Sequence, residues 1–274
     1  MDVMYARRVR NPVGAGLFYP DDKTEILNYL GSFNIDKSGF GFAKAIIAPH
    51  GAWSYSGVLA ASAFSSAMGR TGIKRVVILG PIHDEREKGI FLSNSHSFYT
   101  PLGSIPVDRK LSEKLEAQND SIEINDIPHL GEHSIEILLP FVKYCFPSAS
   151  IIPILMGQPG AQYIHDLAQA LKNVITPLID DTLIVISCNL SSSKDENKAR
   201  SLAEESLRLF AEMNSPALTS AILEGRLNAC GGALVVSVFE SGLLSNSSCC
   251  AVNNLKSAIG AENNTVYYSS LSFQ

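Results

Sequence analysis

A chain of 274 residues with 46% hydrophobic and only 18% charged residues has material for a large core, which excludes global disorder. Lys and Arg number 22 against 27 Asp and Glu, a formal charge of −5 with no basic stripe, so nucleic acid is excluded as an expected partner. No apolar run reaches the roughly 18–20 residues that cross a bilayer, so no membrane span is expected. The opening MDVMYARRVRNPVG lacks the apolar core of a signal peptide. Five cysteines, an odd number with no C-x-x-C pair, fit a reducing compartment, and the cytoplasm is the expected location.

With no internal repeat and no low-complexity linker, residues 1–274 are expected to form one α/β domain. After a Gly-rich turn at Gly39 and Gly41, Ala45–Ala48 reads as a buried strand, followed by a polar loop and a helix over 58–68. Residues 75–79 form the next strand. Residues 151–155 read as a third, in which Pro153 suggests that one side is an edge or a bulge. A helix over 161–174 leads to a fourth strand at 183–186 and a charged helix over 194–213. Thr265–Tyr268 reads as the last strand. Strands alternating with helices of this length predict a central, mostly parallel or mixed sheet with helices on both faces. Ligands of such sheets sit beyond the carboxyl ends of the strands, so each strand is read with the loop that follows it.

After the first strand comes Pro49-His50-Gly51-Ala52-Trp53-Ser54-Tyr55-Ser56-Gly57, and after the second Gly80-Pro81-Ile82-His83-Asp84. One loop histidine is ordinarily a surface residue. Two of them, each just past an apolar strand, suggest a shared site. After the fourth strand, Ser187-Cys188-Asn189-Leu190-Ser191-Ser192-Ser193 reads either as small polar site groups or as a helix N-cap. Cys230-Gly231-Gly232 precedes an apolar helical run over 233–239; a thiol there suits metal ligation or nucleophilic attack, and the alternative is a buried structural cysteine.

His129-Leu130-Gly131-Glu132-His133 fits the H-x-x-E-H string of inverted zinc peptidases. Pro128 and Gly131 disfavour the single helix that mechanism needs. A helix starting near Glu132, with Ile135, Leu138 and Val142 on its buried side, is the preferred reading. His96 and His165 read as ordinary surface residues, and Asp84-Glu85 as a solvated face. No G-x-x-x-x-G-K-S/T loop and no strand-linked G-x-G-x-x-G occurs, so no nucleotide cofactor is expected; the G-x-S-x-G elbow of serine hydrolases is missing too.

Taken together, Ala15-Gly16-Leu17-Phe18-Tyr19-Pro20, Ala48-Pro49-His50-Gly51 with Tyr55-Ser56-Gly57, Leu79-Gly80-Pro81-Ile82-His83, His129 with Glu132-His133-Ser134-Ile135-Glu136, Leu139-Pro140-Phe141 and Cys230-Gly231 resemble the Memo family from about residue 10 to the end. The resemblance implies a fold like that of the class III extradiol dioxygenases. It also implies a metal, iron or copper, held by two His and one Cys, which here are His50, His83 and Cys230. Exchanging the dioxygenases' carboxylate ligand for a thiolate softens the site toward copper or zinc. His133 and Glu132 are the candidate catalytic residues lining the pocket.

The sequence departs from the family where the segment Ser-Asp-x-Ser-His-Tyr is expected: Asn189 replaces the Asp and Ser192 the His, while Asp84 replaces a second His after His83. Serine does not titrate near neutral pH, and losing a general base typically lowers rates about 10²–10⁴-fold. The expectation is therefore a binding or weak redox role with degraded dioxygenase chemistry. The alternatives are an active non-haem iron dioxygenase on a small aromatic substrate, and a protein- or peptide-binding module with Trp53 and Tyr55 as aromatic anchors.

Overall fold

The computed structural model describes residues 8–33, 35, 41–84, 86–260 and 263–274. Gly39 of the expected turn and Glu85 of the expected acidic face fall outside them.

Four strands make the centre of the sheet: Ala45–Ala48, Thr182–Ser187, Arg75–Pro81 and Ser150–Met156 lie side by side in that order, all parallel. Their sequences are nearly continuous apolar runs because both faces of the sheet are covered. Alternate side chains serve opposite faces. Ile47, Val77, Ile152 and Ile184 pack with the helices Ala161–Ile175, Glu196–Ala211, Ser215–Leu223 and Gly232–Glu240. Ile46, Val76, Ile151 and Val185 pack with Lys23–Ser32, Trp53–Ser65 and Leu139–Cys145. The predicted α/β class with helices on both faces is the one observed.

The outer strands make the sheet mixed and eight-stranded. Leu271–Phe273 runs antiparallel to Ala45–Ala48 and carries Cys249–Val252 beyond it. On the other side, Ile90–Leu92 runs antiparallel to Ser150–Met156 and pairs in parallel with Ile122–Ile124. A separate antiparallel sheet joins Ser191–Ser193, Thr265–Tyr268 and Lys256–Ile259. Among the described residues, no helix is long and apolar enough to cross a membrane.

Several expectations need correction. Pro153 lies in an interior strand rather than at the edge of the sheet, opposite Ile78, but one of its sides is interrupted as the sequence suggested. On its other side it falls between two pairings, the end of Ile90–Leu92 at Ile154 and the Val107–Ile151 bridge, so its missing N–H leaves no acceptor stranded. The helix expected from residue 58 already begins at Trp53, and Trp53, Ser56, Gly57, Ala60, Ala61 and Phe64 form its buried stripe. Thr265–Tyr268 is not the last strand, since Leu271–Phe273 follows it into the main sheet. The helix expected near Glu132 is absent. A short helix Ile127–Gly131 stops before Glu132, and helix resumes with a 3₁₀ turn at Glu136–Leu138 and Leu139–Cys145. The backbone N–H groups of His133 and Ser134 bond instead to the Glu132 carboxylate at 2.8 and 2.7 Å, and this local competition breaks the helix. Ile135, Leu138 and Val142 are buried as expected.

Candidate metal centre

Parallel strands end on one edge, and here three adjacent ends carry polar chemistry. The Ala45–Ala48 strand delivers His50, the Arg75–Pro81 strand delivers His83, and the Thr182–Ser187 strand between them delivers Ser187, Cys188 and Asn189. Cys230 arrives just before the helix Gly232–Glu240, on a segment pressed against that middle strand end. A Cβ on Gly231 would lie 2.4 Å from the Ser187 carbonyl oxygen, so only glycine permits this approach. The Asn189 amide N–H then donates to Cys230 Sγ at 3.2 Å.

The result is a cluster in which one ligand atom each from His50, His83 and Cys230 lie within 4.8 Å of one another. Cys230 Sγ stands 3.5 Å from His50 Nε2. Bonds of about 2.0 and 2.3 Å meeting at a tetrahedral angle would put nitrogen and sulfur about 3.5 Å apart. The His50 and His83 rings are inclined by 77° with centroids 5.2 Å apart, so their in-plane lone pairs can converge.

Both imidazoles are held from behind. Ser187 Oγ donates to the Ser134 carbonyl at 2.6 Å, so it must accept from His50 Nδ1–H at 2.7 Å. His83 Nδ1 meets Glu132 Oε1 at 3.0 Å, and the carboxylate can only accept. Each ring therefore keeps a proton on Nδ1, the outer-contact arrangement typical of metal-bound histidine; His50 Nε2 is left with its lone pair, and on His83 a metal ion would take the place of the second proton on Nε2.

Glu132 also accepts the backbone N–H of His83 at 2.7 Å, beside those of His133 and Ser134. Burial alone would raise its pKa, but the His83 ring and these amides pull it down to about 2. Conversely, burial would lower His83, and hydrogen bonds to Cys230 and Glu132 lift it to about 10. The Cys230 thiol is drawn well below its usual range, first by a hydrogen bond from Cys188 and then, against burial, by His50 and His83.

Of the two candidate catalytic residues, His133 lines the cavity and Glu132 does not. Glu132 lies behind His83 as its orienting carboxylate. His133 is stacked between Phe18, at 4.6 Å and 11°, and His83, at 4.7 Å and 18°. Burial pushes its pKa down to about 4, so it is neutral at pH 7. His83, Glu132 and His133 also bring ligand atoms within 4.8 Å of one another. The nearly parallel His83 and His133 rings, however, cannot aim in-plane lone pairs at one ion, which sets this second group aside.

Beside the cluster opens a cavity of about 480 Å³. Phe18, Tyr55, Ile259, Val266 and Tyr268 give it apolar walls, and Asn189, Ser192 and Asn228 add polar groups. Gly51 is again a matter of space, because a Cβ there would come 2.8 Å from the Tyr268 ring. Asn189 accepts the His50 backbone N–H through Oδ1 at 3.1 Å. Ser192 faces the cavity.

Other expectations fare differently. Trp53 is 2% exposed, packed on Phe141 and donating from its indole N–H to the Ile137 carbonyl; it is a core residue and no surface anchor. Tyr55 is half exposed. The serine run is no helix cap, since Asp195 caps Glu196–Ala211 by accepting from the Lys198 N–H. Cys230 is exposed and not a buried structural cysteine. Asp84 is exposed and pairs with Arg86, and His165 is exposed. His96 is half-buried and bridges the Arg8 N–H and Arg109. Sequence reasoning missed Ser187 as the partner of His50, although its place at a strand end was the signal that singled out the two histidines.

Fold and site together define an α/β protein with two imidazoles and one thiol gathered at the strand carboxyl ends. The family described as Memo-like protein matches residues 10–269. A MEMO1 family protein of Methanobrevibacter smithii is 28% identical over 236 residues, covering 81% of this chain and 83% of that protein. One from Methanothermobacter thermautotrophicus is 25% identical over 251 residues, covering 88% and 91%. One from Thermotoga maritima is 27% identical over 235 residues, covering 81% and 84%. The chain belongs to the Memo family.

Proposed function

We propose that this Memo-family chain binds one metal ion, iron or copper with zinc as a third candidate, through His50 Nε2, His83 Nε2 and Cys230 Sγ, in a binding or slow redox role. The observation that carries the reading is the pair of engaged Nδ1 atoms, on Ser187 and Glu132, which leaves the Nε2 atoms of both rings for the cluster with Cys230. When bound, a redox-active ion would supply electron exchange and Lewis acidity beside the cavity. The chain's own residues orient and shield: Ser187 and Glu132 fix the imidazoles, while Phe18 and Tyr268 exclude water. An odd number of cysteines with no C-x-x-C pair supports a reducing compartment, the cytoplasm, as the place of action.

The test is metal content of protein purified under reducing conditions and offered iron, copper and zinc in turn. Wild type is expected to load one ion per chain, and His50→Ala to bind at least about tenfold more weakly, the factor associated with about 1.4 kcal/mol. Equal loading of the two proteins, or none in either, removes the proposal.

A second reading, a non-haem iron dioxygenase acting on a small aromatic substrate, is favoured by the apolar cavity beside the three ligands and by neutral His133 on its wall. Asn189 and Ser192 weigh against it, since neither titrates as a base. Oxygen uptake with Fe(II) and a catechol panel decides between the readings, and no uptake with iron demonstrably bound leaves the first.

A further inference from the structure

We infer that Cys188 and Cys230 form an oxidant-sensitive dithiol, which a hydroperoxide converts to a disulfide, withdrawing the sulfur from the His50–His83 pocket. Cys188 follows the strand Thr182–Ser187 directly, and its sulfur sits 3.2 Å from the Asn189 carbonyl oxygen. Cys230 Sγ sits 3.6 Å from the same oxygen. Two sulfurs from positions far apart in the chain thus share one acceptor. Their sequence neighbours hold the two segments together as well. Cys230 N–H donates to the Asn189 carbonyl at 3.3 Å, and a Cβ on Gly231 would stand 2.7 Å from Cys188 Cβ. Such contact suits the Cα separation of about 4.4–6.8 Å that a disulfide requires.

Access to the two sulfurs is unequal, and the inequality sets their order of reaction. Cys230 is exposed and lines the cavity, whereas Cys188 is fully buried. An accessible thiol beside a shielded one matches a sensor cysteine poised next to its resolving partner. The Cys230 sulfur attacks the peroxide, the O–O bond breaks, and a sulfenic acid forms as alcohol or water leaves. The Cys188 sulfur then attacks the Cys230 sulfur, the S–O bond breaks, and the oxygen departs as water with the Cys188 proton. In sum, two thiols are oxidised by two electrons and one hydroperoxide is reduced. The remaining thiols are placed differently. Cys145 is buried, and Cys249 and Cys250 are sequence neighbours at an irregularity in the pairing of the edge strand Cys249–Val252, a spacing poorly suited to an ordinary bridge.

The experiment uses the full chain, reduced and stripped with a chelator, then treated with hydrogen peroxide, alkylated and mapped by mass spectrometry. Wild type is expected to yield a linked Cys188–Cys230 peptide pair that a thiol reductant separates. The near-isosteric Cys188→Ser is expected to yield no link and to carry Cys230 onward to sulfinic acid, which reductant does not reverse. Copper or zinc titration of the same samples is expected to show at least about a tenfold loss of affinity on oxidation of wild type, regained on reduction. The inference is overturned if wild type gives no such linked peptide and over-oxidises Cys230 as fast as Cys188→Ser. It is equally overturned if the linked protein still takes up metal as tightly as before. The disulfide itself does not depend on the metal reading: reduced protein that binds no metal removes that reading and leaves the linked peptide to judge this one.

Discussion

Glu132 and Glu136 sit four residues apart, both buried and both fully hydrogen-bonded, yet one serves the candidate site and the other the fold. Glu136 forms a sealed ion pair with Arg10 and accepts the Val13 N–H at 2.9 Å, the Gly14 N–H at 2.7 Å and the Tyr19 hydroxyl at 2.9 Å. Burial and the neighbouring carboxylate hold Tyr19 far above its usual pKa, so its proton stays available to donate. Arg10 in turn reaches the His129 and Glu132 carbonyls at 3.0 and 2.7 Å. This clamp fixes the N-terminal segment and carries Phe18 to the cavity wall, where its carbonyl accepts the Trp53 N–H at 2.9 Å. Glu132 takes a titratable imidazole where Glu136 takes a permanent guanidinium. Residue type and burial are the same, so the partner decides the use: an arginine locks the carboxylate, while a histidine couples it to whatever meets the other ring nitrogen.

Substitutions in the two regions should therefore separate stability from metal affinity. The largest effect is expected from Glu136→Gln, which leaves the Arg10 cation uncompensated in the interior. A stability loss of about 3–5 kcal/mol should appear in urea unfolding, with metal affinity of the folded fraction unchanged. If affinity falls in step with stability, the division between clamp and site disappears.

Next comes a pH effect within the clamp. Burial pushes His129 from its ordinary 6.5 down to about 4. Below pH 6.5 the unfolded chain takes up a proton that the folded chain refuses until about pH 4. This contribution is thus whole above 6.5 and is lost as pH falls through that window, by about 3 kcal/mol in total. Melting temperatures from pH 7.5 to 4 should fall less steeply for His129→Gln than for wild type, and identical slopes would refute the assignment.

On the site side, Glu132→Gln removes the charge behind His83 and should weaken metal binding about 10–100-fold, read by competition with a chromophoric chelator, at a smaller stability cost than Glu136→Gln. Ser187→Ala removes the neutral acceptor behind His50. Its effect should be the smallest, about tenfold in the same assay, because a hydrogen bond to a charged group is roughly twice as strong as a neutral one. A reversed order of these two would mean that His50, and not His83, depends more on its outer contact.

Much of this was legible in the chain. The runs within Ala45–Ala48, Arg75–Pro81, Ser150–Met156 and Thr182–Ser187 announce buried parallel strands because their interior positions are apolar, and His50 and His83 stand out as polar groups just beyond two of them. Trp53–Ser65 could have been read in full from its 3.6-residue apolar spacing. Leu271–Phe273 and Ser191–Ser193 could not: three residues carry no readable period, and both exist only through distant pairing partners. The break at Glu132 was hidden too, since it depends on a side chain capturing the backbone N–H groups that follow it.

By itself, then, the sequence determined the α/β class, the strands whose ends matter and the two imidazoles on them, because these follow from patterns spanning only a few neighbouring residues. The family resemblance names Cys230 as a ligand; only the tertiary structure decided that it also lies against Cys188, and that Glu132 orients His83 while Glu136 clamps the N-terminal segment. Those outcomes depend on strand order and on Gly231 pressing one segment against another, contacts between residues far apart in the chain that no local pattern encodes.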